Sequence, residues 1–181
     1  KERQKLVKIT AQEGNRALIK DDDGKNVASI SGLSTEDSRF SEMEVGKEEA
    51  GSALGYVIIR NLVLTGTETK TIYIEKHSQG SNGVCVNDSE GIETQEDIAQ
   101  GCVNIFCPGQ SGQYTCAIEN GNFAVSGLKH SGVIETTILF CGDGTCNTSE
   151  TCSSCSADCG TCTVTTQPDD TGGGTGGGGG G

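Results

Sequence analysis

The sequence predicts an all-β chain. It reads as a β-sandwich region, a disulfide-containing β region, a small cysteine-rich module and a disordered Gly-rich tail. Three observations carry this reading. Short apolar stretches with period-two alternation recur as far as Phe140, the pattern of half-buried strands. Turn residues separate them at intervals of about 8–12 residues. All ten cysteines lie from Cys85 onward, in two even-numbered groups.

Residues 1–76 hold six expected strands and no cysteine. Leu6–Thr10 alternates apolar and polar residues, and Ala17–Lys20 is short and apolar. Asp21-Asp22-Asp23-Gly24 follows, and Asp-Gly between apolar segments signals a hairpin returning through Asn26–Ile30. Phe40–Val45 alternates again, with Phe40 and Met43 out of phase. Glu48–Ala53 reads as a helical turn or a loop. Tyr56–Leu64 is the most apolar stretch, a central strand with a bulge expected near Arg60-Asn61. Thr71–Glu75 places Ile72 and Ile74 on one face. Six short strands so spaced fit an Ig-like sandwich. So short a stretch buries a modest core and must fold on packing alone or lean on its neighbour.

Residues 77–140 form the second expected region, with strands at Gly83–Val86, Val103–Cys107, Gln113–Ile118 and Val133–Phe140. Ile134, Ile138 and Phe140 are expected inward. One short helix is expected within Ile92–Gln100, with Thr94 and Asp97 as its capping box. Pro108-Gly109 reads as a hairpin turn that Cys107 and Cys116 could bridge. Glu119–Asn122 is a second turn with an Asn-Gly signal. Residues 141–162 have almost no aliphatic side chains and must rely on crosslinks. Residues 163–181 are polar and then nearly pure Gly, a flexible coil.

The four middle cysteines are Cys85, Cys102, Cys107 and Cys116. The six clustered ones are Cys141, Cys146, Cys152, Cys155, Cys159 and Cys162. Disulfides are the expected state, with an undetermined pairing, and they imply an extracellular or cell-surface location. Zinc is the main competitor, through Cys152/Cys155 and Cys159/Cys162. Only Ser156, Ala157 and Asp158 separate these pairs, whereas zinc folds separate theirs by roughly 12–20 residues. Reactive thiols are a third reading. Two N-x-[ST] triplets, at Asn87 and Asn147, point weakly to the same compartment.

The chain carries 25 acids against 13 bases, a net charge of -12. Residues 101–181 hold a single base, Lys129. Nucleic acid is therefore not an expected partner. No run approaches the roughly 20 apolar residues of a membrane-crossing helix. The start at Lys1 and the Gly-rich end suggest a mature or truncated piece of a longer chain.

Oxygen donors sit closely in the cysteine module at Asp143, Asn147, Glu150 and Asp158. Calcium takes such carboxylates, amides and carbonyls; the competing reading is that the acids cap turns. Asp21, Asp22 and Asp23 read as a solvated turn. His77 and His130 are each followed by Ser, but neighbours on an extended chain face opposite ways. Gly109-Gln-Ser-Gly-Gln113 lacks the last Gly of a nucleophile elbow. No catalytic constellation emerges, and a non-enzymatic role is expected. The paucity of aromatics, with no Trp, supplies a sugar-stacking surface poorly.

The stretch from Cys141 to Gly160 fits C-G-D-G-x-C-x3-E-x-C-x2-C-x2-D-C-G. It resembles a module of large secreted and cell-surface proteins of archaea and some bacteria. Lys70–Ile74, Gly83–Val86 and Gly127–Val133 look like the β-domains that precede it there. This resemblance implies a surface location and a modular architecture, with the tail as a spacer, and no activity. Two roles follow as expectations. One is a structural or adhesive module contacting the cell envelope, with a rigid and calcium-binding joint. The other is an accessory module of a secreted hydrolase that binds glycan or peptide.

Overall fold

A computed structural model describes residues 8–12, 16–33, 38–48, 52–130, 132–139, 141–142, 144, 146 and 150–162. The chain divides into two compact units, Lys1–Ile138 and Leu139–Gly181.

The first unit is a sandwich of two antiparallel sheets. Its strands are β1 (Lys8–Gln12), β2 (Arg16–Lys20), β3 (Asn26–Ser31), β4 (Glu44–Lys47), β5 (Tyr56–Arg60), β6 (Thr69–Glu75), β7 (Gly83–Asn87), β8 (Val103–Phe106), β9 (Gly109–Ser111), β10 (Tyr114–Glu119), β11 (Asn122–Leu128) and β12 (Gly132–Thr136). The larger sheet runs β1-β2-β3-β6-β11-β10-β9 and the smaller β4-β5-β12-β7-β8. Strands from both sides of residue 76 lie in both sheets. The regions 1–76 and 77–140 thus share one interior, and the cysteine-free stretch leans on its neighbour.

Alternation explains the interior. Ile19, Ala28, Ile72, Val125 and Cys116 stand in one row across five strands of the larger sheet. Val57, Val133 and Val86 form the facing row of the smaller sheet. All are buried in one cluster. The smaller sheet is covered on its other face as well. Tyr56, Ile58, Cys85 and Ile134 there pack with Ile92 and Ile98 from the segment carrying α1 (Gln95–Ala99). Two-sided burial is why Tyr56–Ile59 reads as an unbroken apolar run. Gly132 permits the close approach, because a Cβ there would lie 2.7 Å from Ile98 Cγ1. Thr94 and Asp97 form the expected capping box at the start of α1.

Several local expectations change. Phe40 sits in a 3-10 turn, Ser38–Ser41, and β4 begins only at Glu44; the three-residue spacing of Phe40 and Met43 is a helical one. β5 ends at Arg60, where Asn61 takes a φ of 57°, instead of bulging onward. Val133 faces the other sheet, whereas Ile134 faces the α1 side. Ile138 is half-buried, and Phe140 lies outside the described residues. Pro108-Gly109 is not a hairpin turn. The chain there crosses from the smaller sheet at β8 to the larger at β9, and β9 then pairs with β10.

Polar networks close both ends of the sandwich interior. At one end Lys47, 7% exposed, reaches Asp21 at 3.0 Å, Glu75 at 2.9 Å and Glu48 at 3.6 Å. Burial opposes the Lys47 charge, but hydrogen bonds to Glu75 and Asp21 prevail and raise its pKa. Lys47 belongs to the smaller sheet, and its partners Asp21 and Glu75 to the larger sheet and its hairpin. Asp21 is therefore not solvated. Its carboxylate accepts from the Asp23 and Lys25 amides, while Asp22 and Asp23 stay exposed. At the other end Arg39 grips Glu68 through two nitrogens, at 2.9 and 2.8 Å. That contact, joined by the Thr65 amide, lowers the Glu68 pKa to about 2.

Candidate functional site

The cysteine module is the candidate site. It is held by Cys141–Cys155, Cys146–Cys159 and Cys152–Cys162, which close 14, 13 and 10 residues. The two C-x2-C pairs are split among three bridges, and no cysteine is free. A zinc tetrahedron of thiolates is thereby unavailable. Cys155 is the one buried residue among the described residues of the module. Thr151 and Ser154 bracket each other, with Thr151 N donating to Ser154 Oγ at 2.8 Å and Ser154 N to Thr151 Oγ1 at 3.1 Å. The single helical turn α2 (Ser156–Cys159) follows.

Asp158 sits on α2 and turns back to the start of the module. Its Oδ2 accepts from the Gly142 amide, and its Oδ1 from the Gly144 amide at 2.9 Å. Gly142 and Gly144 have φ of 101° and 83°, where glycine is favoured, and this aims both amides at the carboxylate. Cys141 Sγ, Cys155 Sγ and an Asp158 oxygen lie within 4.8 Å of one another. The two sulfurs are bonded to each other, so they are not thiolate ligands. Glu150 is half-buried. Asp143 and Asn147 lie outside the described residues, and the second sequon with them. What the geometry offers is a carboxylate that braces a loop.

The middle cysteines do different work. Cys107–Cys116, the pairing expected from sequence, joins the end of β8 in one sheet to β10 in the other. It is an inter-sheet staple buried in the main core. Cys85–Cys102 ties the α1 segment to β7. A cleft of about 420 Å³ beside this bridge is lined by Leu54, Ala99, Asn104, Ile134 and Thr136, among others.

The histidines are placed apart. His77 Nδ1 lies 3.1 Å from the Ser52 carbonyl, and Nε2 is 3.5 Å from Glu48 Oε1. Glu135, buried, accepts from the His77 and Ser78 amides at 2.9 and 3.0 Å. Both His77 nitrogens thus face the protein, so the ring fastens the β6–β7 connection. His130 Nε2 is 3.9 Å from Glu90, on a cleft of about 240 Å³ that Arg60 and Glu93 also line. The first sequon is closed off, because Asn87 is 7% exposed and donates through Nδ2 to the Asp97 and Gln100 carbonyls, each at 3.0 Å.

Sequence reasoning missed Lys70. Its side chain is fully buried on the inner face of β6, and Nζ has no hydrogen-bond partner among the described residues. Burial lowers its pKa to about 8, and the nearby Asp88 opposes that shift. Asp88 itself accepts from the Lys129 amide at 3.0 Å. The signal was present: Lys70 shares the alternation that puts Ile72 and Ile74 inward.

No helix among the described residues is long and apolar enough to cross a membrane. Comparison with known proteins finds no matching family model, no matching curated protein and no matching solved structure.

Proposed function

We propose that the chain is a non-enzymatic structural or adhesive module of the extracellular space or cell surface. The carrying observation is the complete pairing of ten cysteines into five disulfides. Such bridges persist in oxidising compartments and are rare in reducing ones. The sandwich supplies a stiff body, and the cysteine module supplies a short joint that stays folded without an apolar core. The acidic surface and the resemblance of residues 141–160 to surface-protein modules support the same reading.

The test is non-reducing peptide mass mapping of the chain isolated from its native source. Five bridged peptide pairs with no free thiol are expected. Free thiols, or a metal that accounts for them, would remove the location and the joint together. Selective capture on a glycan or peptide array would instead favour an accessory module of a secreted hydrolase.

Calcium belongs to this proposal through Asp143, Asn147, Glu150 and Asp158. A chelator should then lower the melting temperature of the module and added calcium should restore it. An unchanged melt would leave Asp158 as a loop brace alone.

A further inference from the structure

The chain contains two Asn-Gly dipeptides, Asn82-Gly83 and Asn120-Gly121, in opposite environments. We infer that Asn120 is a site of spontaneous covalent modification, deamidation through a cyclic imide, and that the fold protects Asn82 from the same reaction.

The chemistry is intramolecular. The main-chain nitrogen of the glycine attacks the asparagine Cγ and loses its proton to solvent. The side-chain nitrogen takes up a proton from solvent, its bond to Cγ breaks, and ammonia leaves. Water then opens the five-membered imide at either carbonyl, giving aspartate or its β-linked isomer. Solvent water is the only co-reactant, and nothing is oxidised or reduced.

Asn120 and Gly121 form the exposed two-residue tip between β10 and β11, closed by the Glu119–Asn122 pair. Their φ angles of 51° and 81° are those of a type I′ turn. The Asn120 side chain makes no hydrogen bond to the described residues, and a Cβ built on Gly121 meets nothing within 4 Å. Attack requires the tip to open far enough to bring the glycine nitrogen onto Cγ. Opening at an exposed tip costs little.

Asn82 is clamped. Its Nδ2 donates to the Ile138 carbonyl at 2.9 Å, and its Oδ1 accepts from the Ile138 amide at 2.7 Å. Gly83 is buried in β7, with the Ile105 carbonyl 2.5 Å from where a Cβ would stand. Attack there requires undocking Ile138 and freeing β7 from β8 and β12. Conversion at Asn120 adds a negative charge beside Glu119. The β-linked product also lengthens the main chain inside the turn and breaks the Glu119–Asn122 register.

The experiment is prolonged incubation of the oxidised full chain in mildly alkaline buffer, followed by peptide mapping that resolves aspartate from its isomer. Conversion at Asn120 should exceed that at Asn82 by about 10-fold or more, since each 1.4 kcal/mol of extra opening cost is tenfold in rate. The same chain reduced and held in denaturant should convert the two at similar rates. Equal rates in the folded chain, faster reaction at Asn82, or an inert Asn120 in the folded chain would each overturn the inference. A preference for Asn120 that persists in denaturant would overturn it too, because sequence and not fold would then set the selectivity.

Discussion

The sandwich and the cysteine module hold themselves together by opposite means. In Lys1–Ile138 apolar side chains from two sheets fill a common interior, and two disulfides sit at specific joints: a sheet-to-sheet corner and the α1 cover. In Leu139–Gly181 three disulfides join residues 141–162, and among the described residues Cys155 alone is buried. Apolar burial contributes roughly 25 cal/mol per Å² and accumulates with every strand added. A disulfide acts mainly by restricting the unfolded chain, with about 3 kcal/mol for a loop of about 15 residues. One unit is therefore buffered against reduction and the other depends on oxidation.

Reduction is the largest expected break in this comparison. Thiol reductant should erase amide-exchange protection across residues 141–162, since three bridges of about 3 kcal/mol each disappear. Strands β3, β6 and β11 should keep most of theirs. Simultaneous loss in both units would show that the sandwich also depends on its two bridges.

Lys70 gives the next largest effect, and it belongs to the sandwich alone. Its folded pKa of about 8 lies below the ordinary 10.5. Between those values the unfolded chain binds more protons, so stability should rise with pH from about 8 toward 10. Lys70→Met removes a buried ammonium that has no hydrogen-bond partner among the described residues and should stabilise by about 1–3 kcal/mol near neutral pH. The variant should also lose the alkaline rise. Denaturant melts of both proteins across that range decide it, and a flat wild-type profile would show that Lys70 finds a polar partner in solution.

Asp158→Ala gives the smallest change and sharpens the module side. Losing the carboxylate that accepts the Gly142 and Gly144 amides should cost about 1 kcal/mol in the module and nothing in the sandwich. Amide exchange at Gly142 and Gly144 reports it directly. No change at those two amides would remove Asp158 from the account of the module.

Much of this architecture was legible before any coordinates. Alternation located β6, the Asp-Gly turn located β2 and β3 on either side of it, and the Thr94/Asp97 pattern located the start of α1, because all three follow from local backbone geometry. The even cysteine groups pointed to disulfides because paired chemistry needs even counts. The pairing inside the module was not legible: six cysteines allow 15 arrangements, and only the closed loop distinguishes them. Asp21 was misplaced because its charge says nothing about which end of a sandwich it will close, and Lys70 was overlooked because its charge masked the alternation that it shares with Ile72 and Ile74.

What the sequence determined by itself was the alternation that makes strands, the caps that start a helix and the lack of apolar residues that forces the module to rely on sulfur. These are properties of neighbours along the chain. The tertiary structure decided which sheet each strand joined, that Pro108-Gly109 turns a corner between sheets, that Asn87 is sealed and that Asp158 braces its loop. Those outcomes depend on groups distant in sequence meeting in space, and no local pattern encodes that meeting.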